Sequence, residues 1–371
     1  MNILSLFDGM SCGMLAMMEA GVKVDRYVAY EIDKYAVQTS QHNFPIIEHR
    51  GDVFEADFTE FEGFDWLVGG SPCTYWSIAQ KNNRETEASG MGWELFSQYV
   101  RALREAKPMF FIYENNKSMS KAIRQSITET FGFEPICINS ALVSAQNRQR
   151  LYWVGKRNED GTYSKCDIEQ PEDRGILLRD VLENGFAWKD KQGCIDANYY
   201  KGGNYSSPNK QSGQRMCVAE PIRIPPYGNE DKARPLGALY PNNCGGFEHR
   251  MFSDNPNKQQ VDMVAEPIPY YAEPCEWDEG GKPTKAISAA DGKVYTVYEV
   301  KDGQITIKGK TYPIKLPDGF YIIRKLTVRE CMRLQTVPEW YEFPVSDSQA
   351  YKMLGNGWTV AVIPHLIRGA L

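Results

Sequence analysis

The sequence predicts an α/β fold built on a doubly wound, mainly parallel sheet, with a β-rich domain inserted late in the chain. Three observations predict it. Residues 1–157 alternate short apolar runs with amphipathic segments at helical spacing, the pattern of strands joined by crossover helices. Across residues 158–320 that periodicity vanishes, Gly, Pro, Asn and Tyr rise, and short alternating runs take over. From Tyr321 helical spacing returns, so residues 321–371 are expected to fold back and complete the first domain.

Taken in order, strands are expected over Asn2–Phe7, Val24–Glu31, the residues before Asp52, Asp65–Gly69, Met109–Glu114, Pro135–Leu142 and Leu151–Gly155. Helices are expected over Met14–Ala20, Trp93–Ala106 and Ser118–Phe131. In the insert, VYTVYEV and QITIKG flank Lys301-Asp302-Gly303, and Asp-Gly is a hairpin turn signal because both positions tolerate positive φ. The run VAEPI occurs at 218–222 and again at 264–268, either a duplicated β-element or a chance recurrence in proline-rich sequence. Thr327-Val-Arg-Glu330 is a capping box that opens a helix through Leu334. A last amphipathic helix is expected over Val360–Leu371.

At 371 residues the chain suits a large domain plus a smaller one. No apolar run reaches the ~18 residues of a membrane span, and no basic stretch precedes the first apolar run, so neither a membrane anchor nor a signal peptide is expected. Nine scattered cysteines without a Cys-x-x-Cys pair point to reduced thiols in a cytoplasm, and neither they nor the four histidines have metal-ligand spacing. Net charge is −6, weak evidence against a polyanionic partner. Residues 201–260, however, hold eight Lys/Arg against five Asp/Glu, which tolerates one.

The chemistry gathers at predicted strand ends. In LSLFDGMSCGMLAMMEAG (4–21) a strand runs into a turn with glycines at 9 and 13, where backbone can approach a ligand closely. Glu31 ends the second strand, placed to accept from a ribose diol, and Asp52 ends the third, able to face an adenine amine. A lone carboxylate is usually just solvated; three at successive strand ends, Asp8, Glu31 and Asp52, favour a nucleoside ligand, and no P-loop lysine supports a triphosphate. In GGSPCTYWS (69–77), Pro72 fixes the backbone before Cys73 and two glycines clear space around it. A cysteine more often packs as a small hydrophobe, yet an exposed loop near helix N-termini favours an ionised, accessible thiol. Glu114 ends the fifth strand in FFIYENNKSM, suited to acid or hydrogen-bonding work or simply to a polar turn. Arg148 and Arg150, two apart in SAQNRQRLYWVG, place two guanidiniums side by side for a phosphate or a base carbonyl, or for solvent.

FDGMSCG, SPC, ENN, QNRQR, RKLTVRECMRLQ (324–335) and MLGNGWTV (353–360) occur in the order found in the DNA (cytosine-5) methyltransferase family. The chain resembles a bacterial or prophage-type member over residues 1–157 and 321–371, with the insert where that family carries its target recognition domain. The resemblance implies a Rossmann-like methyltransferase fold and the cofactor S-adenosylmethionine, released as S-adenosylhomocysteine. It implies methylation of cytosine C5 at a specific sequence in double-stranded DNA, after the base is flipped out of the helix. Cys73 would bond to C6, Glu114 would hold N3 and the exocyclic amine, and Arg150 would bind O2, with Arg148 steadying Glu114 and a nearby phosphate. Phe7, Asp8, Gly9, Met10, Cys12 and Gly13 would hold the methionine part, Glu31 and Ile32 the ribose, and Asp52 and Val53 the adenine. Pro72, Asn356 and Trp358 would close the pocket. A monomer in a bacterial or phage-infected cell is expected, with room for a separately acting restriction nuclease.

The chain departs from the family pattern at three places. Glu114-Asn115-Asn116 stands where Glu-Asn-Val is usual, Ser11-Cys12 where many members have another glycine, and GNGWTV where GNSV is commoner. Two rivals stand beside the leading reading. A tRNA cytosine-5 methyltransferase does not need the large insert that duplex reading requires, and a non-catalytic DNA-binding paralogue does not need an intact Cys73, Glu114 and Arg150. In the insert, Asn, Gln, Lys and Arg within 198–215 and 234–250 are candidate base readers.

Overall fold

The computed structural model describes residues 1–77, 84–187, 189–201, 218–222, 272–307 and 309–371. The chain forms two compact units. The first comprises Met1–Leu177, Gly193–Tyr200 and Cys331–Leu371, the second Leu178–Gln192 and Lys201–Glu330.

The first unit holds strands β1 (Asn2–Leu6), β2 (Arg26–Tyr30), β3 (Glu48–His49), β4 (Trp66–Gly69), β5 (Phe110–Asn116), β6 (Ile136–Asn139), β7 (Gln149–Arg157) and β8 (Tyr163–Lys165). They form one eight-stranded sheet in the order β3-β2-β1-β4-β5-β7-β6, with β8 beside β7. Ladders from β3 through β5 are parallel, and β7 runs antiparallel to β5 and β6. β4 is buried throughout and β1 after its first residue, as continuous apolar strands are when both sheet faces are covered. Phe96, Tyr99, Phe111, Tyr113, Phe131 and Trp153 pack together in its aromatic core.

β1 lies between β2 and β4, so the chain winds outward from it in both directions. That reversal opens a crevice at the carboxyl ends of the strands. Helix α1 (Cys12–Ala20) leaves β1 across it and stops at Gly21, whose positive φ lets its amide reach the carbonyls of Met17 and Met18. α2 (Lys34–Asn43) is capped by Asp33; its mostly polar sequence hides it from the periodicity argument. α3 (Gly90–Ala106) and α4 (Lys121–Phe131) follow, α4 with Ser120 as cap. Last in the chain come α5 (Val328–Leu334), which begins within the second unit, α6 (Asp347–Asn356) and α7 (Val362–Ala370). α7 buries Val362, Ile363, Leu366 and Ile367 and packs on α1, and Arg368 donates to the Glu19 carbonyl. The chain end is thereby tied to its beginning.

The described strands of the second unit pair antiparallel in the order Phe186–Ala187, Val218–Pro221, Gly319–Arg324, Val294–Lys301, Pro283–Ile287, Glu273–Trp277. Asp302 and Gly303 turn with φ of 52° and 66°, as a tight hairpin between Val294–Lys301 and Gln304–Ile307 requires. The first VAEPI run is a buried strand; the second lies outside the described residues, as do 202–215 and 234–250 of the candidate base readers. Arg324 is wholly buried between Glu220 and Glu330, with Nη1 2.7 Å from Glu330 Oε2. The units differ in extent from the sequence expectation: 158–177 and 193–200 belong to the first, and Tyr321 lies inside the strand Gly319–Arg324 of the second.

Candidate active site

A cavity of about 230 Å³ opens at the carboxyl ends of β1, β2, β4 and β5. Phe7, Asp8, Gly9, Met10, Cys12, Gly13, Glu31, Pro72, Cys73, Glu114, Arg148, Arg150, Asn356 and Trp358 all line it. Ile32, Asp52 and Val53 do not. Ile32 points to solvent at 74% exposure, Asp52 accepts from the Phe54 amide as the cap of a 3-10 turn, and Val53 is buried in the core.

The two glycines before Cys73 answer to close approach. A Cβ on Gly69 would sit 2.4 Å from the Leu6 carbonyl oxygen, and one on Gly70 2.5 Å from that of Glu114. Cys73 then opens a 3-10 turn, Cys73–Tyr75, whose carbonyl accepts from the amides of Trp76 (3.1 Å) and Ser77 (2.9 Å). The thiol is half-buried between exposed Pro72 and Thr74. Beneath it Ser71 is tied to β5, with its hydroxyl 2.7 Å from that of Tyr113 and its carbonyl accepting from Asn115 Nδ2 at 3.1 Å.

Glu114 is 13% exposed, with Oε1 3.0 Å from Arg150 Nε and Oε2 3.1 Å from the indole nitrogen of Trp358. Burial lowers the Arg150 guanidinium, but Cys194, Glu114 and Cys73 outweigh it and raise it above its usual value. Arg150 therefore stays charged.

Arg148 departs from expectation. Its buried guanidinium does not steady Glu114. Instead it donates to the carbonyls of Ile195 (3.0 Å), Gly355 (3.1 Å) and Gly357 (2.8 Å), a set of acceptors that holds the planar fork away from the carboxylate. Arg148 thus staples the returning chain to the sheet. Ser144 Oγ donates to the Leu334 carbonyl at 2.5 Å and adds to that attachment, while Gln335 Nε2 on the Leu354 carbonyl, also at 2.5 Å, braces the returning chain internally. Cys194, a residue the sequence reading left unused, lies 3.3 Å from Arg148 Nη1 and 3.8 Å from Arg150 Nη2. Burial raises its thiol, yet the two guanidiniums prevail and the net shift is downward.

At the other end Asp8 accepts from the hydroxyls of Ser5 (2.6 Å), Ser11 and Tyr27 (2.7 Å). Glu31 accepts from the amides of Gly9, Ile32 and Asp33, each at 2.8 Å. Burial raises its carboxyl above the ordinary value of 4.5; the three amides oppose that and the Asp8 charge adds to it. Asp33 and Lys352, which the sequence reading also missed, form an ion pair of 2.6 Å on the cavity lining. No local signal marks them, since 319 residues separate the partners.

Two of the departures from the family pattern are physically coupled. A Cβ on Gly357 would lie 3.2 Å from Cys12 Sγ and 3.1 Å from the Met353 carbonyl oxygen, so the cysteine fills the room a serine at 357 would need. Burial pushes the Cys12 thiol up to about 12, which keeps it a neutral filler. The third departure, Asn116, is buried with its amide oxygen accepting from Ser118 and its Nδ2 without a partner among the described residues.

The lining tests the fit of a cofactor. Asp8, Glu31 and Asp33 against one Lys352 make that end acidic, suited to a ligand that is cationic and carries hydroxyls and unsuited to a phosphate. S-adenosylmethionine has those features. No helix among the described residues is long and apolar enough to cross a membrane.

The family model described as C-5 cytosine-specific DNA methylase matches residues 1–370. Orphan methyltransferase M.SPRI of Bacillus phage SPR is 25% identical over 99% of this chain and 97% of its own length. Type II methyltransferase M.HpaII of Haemophilus parainfluenzae is 26% identical over 98% of this chain and 87% of its own. Among solved structures, a mutant of Spodoptera frugiperda DNMT2 superposes with a TM-score of 0.57 at 16% identity, over 100% of this chain and 99% of that one. That last likeness concerns the fold.

Proposed function

Because the chain belongs to the C-5 cytosine-specific DNA methylase family, we propose that Cys73 bonds transiently to C6 of a cytosine flipped out of duplex DNA, so that C5 can be methylated. One observation carries this reading: Cys73, Glu114 and Arg150 line the same cavity as the acidic ligand end, with Glu114 and Arg150 already joined. C5 of cytosine is a poor nucleophile until C6 is saturated. The Cys73 thiolate adds to C6, and the displaced electron pair moves through the ring onto C5 and N3. Glu114 meets N3 and the exocyclic amine, while Arg150 donates to O2, where negative charge also collects. Asp8 and Glu31 would hold S-adenosylmethionine, whose sulfonium would supply an electrophilic methyl group and leave as the thioether S-adenosylhomocysteine. Transfer of the C5 proton to solvent then lets the C–H electron pair restore the C5–C6 double bond and expel Cys73 as thiolate. The second unit is assigned to reading the DNA sequence around the target base, as its length and antiparallel ribbons suit a groove.

The expected outcome of Cys73→Ala is loss of methyl transfer by a factor of at least about 10³, with S-adenosylhomocysteine still bound. The direct test uses duplex DNA with 5-fluorocytosine at a site located by bisulfite sequencing. Wild-type protein should be trapped covalently when the methyl donor is present, and the alanine variant should not. Equal labelling of tRNA in a parallel reaction would redirect the assignment to RNA.

A further inference from the structure

Trp358 stands at the position where the commoner family pattern has valine, and it touches the carboxylate on which the proposed chemistry turns. Its indole Nε1 donates to Glu114 Oε2 at 3.1 Å, while Arg150 Nε meets the other oxygen at 3.0 Å. A carboxylate held by one partner swivels about its last bond. Donors on separate oxygens fix its plane. Here they come from distant parts of the chain, β7 and the segment between α6 and α7.

The chain on either side of Trp358 is itself held in place. On one side the Gly357 carbonyl accepts from Arg148 Nη2 at 2.8 Å. On the other, Thr359 Oγ1 donates to Gln335 Oε1 and lies near Ser140 Oγ, each at 2.8 Å. Trp358 lines the cavity, and its ring nitrogen is a donor that neither titrates nor accepts. Such a group orients Glu114 without competing for protons. From this geometry we infer that Trp358 is a positioning residue for Glu114, setting the plane of the carboxylate that grips the base. The inference rests on the reading of Glu114 given above and assigns Trp358 a task beyond covering the cofactor.

Two variants separate the donor from the bulk. W358F keeps an aromatic ring and removes the N–H. W358H overlays its five-membered ring on that of the indole, so Nε2–H falls where Nε1–H was, while the fused ring is lost. Single-turnover methyl transfer to duplex DNA at saturating donor is measured beside S-adenosylhomocysteine affinity by calorimetry. W358F should slow transfer about tenfold, the worth of one hydrogen bond, with affinity within about threefold of wild type. W358H should recover most of that rate. W358F as fast as wild type, or W358H no faster than W358F, overturns the inference while leaving the reading of the site intact. Wild-type protein that neither transfers methyl nor forms the trapped adduct overturns both.

Discussion

Glu31 is the residue whose surroundings make the sharpest prediction about pH. Its raised carboxyl takes up a proton at a pH where the unfolded chain, at about 4.5, is still ionised. The sign follows. The stability cost of burying the charge is full above the folded value and is relieved as pH falls through it. A hydroxyl ligand needs the ionised form as acceptor, so affinity moves the other way and weakens on acidification through that same value. S-adenosylhomocysteine titrated between about pH 5 and 8 should lose roughly tenfold in affinity towards the acid end, as for one bond to a charged group. Asp8, Asp33 and Lys352 share the cavity, so Glu31→Gln is the control: it should bind more weakly but with a flatter profile. At this scale Asp8, Glu31 and Glu114, read as strand-end carboxylates, line the cavity, whereas Asp52 lies past the end of β3 and caps a 3-10 turn instead. The sequence hid Arg148. That guanidinium is satisfied by backbone carbonyls 47, 207 and 209 residues away, and a carbonyl carries no residue identity to read.

Between residues and domains, the elements that the sequence marked most clearly are those with local chemistry. The Thr327 hydroxyl accepts from the Glu330 amide at 3.1 Å, and Glu330 Oε2 accepts from the Thr327 amide at 2.8 Å, a reciprocal box within one turn. The hairpin at Asp302-Gly303 is local in the same way. What the turn conceals is the second duty of Glu330, which also faces buried Arg324 at 2.7 Å and 2.9 Å. The two cap residues are therefore unequal. Thr327→Ala should cost about 1 kcal/mol, an ordinary cap. Glu330→Ala should cost about 3–5 kcal/mol, because it strands part of a buried guanidinium. Urea unfolding of the second unit, followed through its own probe, distinguishes them; equal costs would mean that the ion pair adds nothing beyond the cap. Strand limits were less legible. β7 begins at Gln149, ahead of its apolar run, because pairing with both β5 and β6 holds polar residues in the ladder.

For the whole molecule, composition set the insert at 158–320, and the compact units have other seams. The apparent boundary at 320/321 cuts the strand Gly319–Arg324, whose last residue carries the buried arginine. The apparent start at 158 passes over Gly193–Tyr200, which folds with the first unit. There Ile195 accepts from Arg148 and its amide donates to Gln146 Oε1 at 2.9 Å, while the backbone of Asp196 presses within 2.2 Å of where a Cβ on Gly355 would be. Composition could not reveal this, since CIDANYY shares the texture of the residues around it. Two chimeras with a related methyltransferase test which seams are physical. One exchanges 178–192 and 201–330 together and keeps 193–200; the other exchanges 158–320 as a block. The first retains Ile195 beside Arg148 and moves Glu220, Arg324 and Glu330 as a set, so it should methylate DNA at the donor protein's site with a rate within about tenfold of wild type. The block exchange removes Ile195 and separates Arg324 from Glu220, leaving a buried charge short of a partner at a cost of several kcal/mol. It should be poorly folded and inactive. Bisulfite sequencing of the expression host's genome reads both results at once, and equal activity of the two chimeras would show that the seams drawn by the hydrogen bonds do not govern exchange.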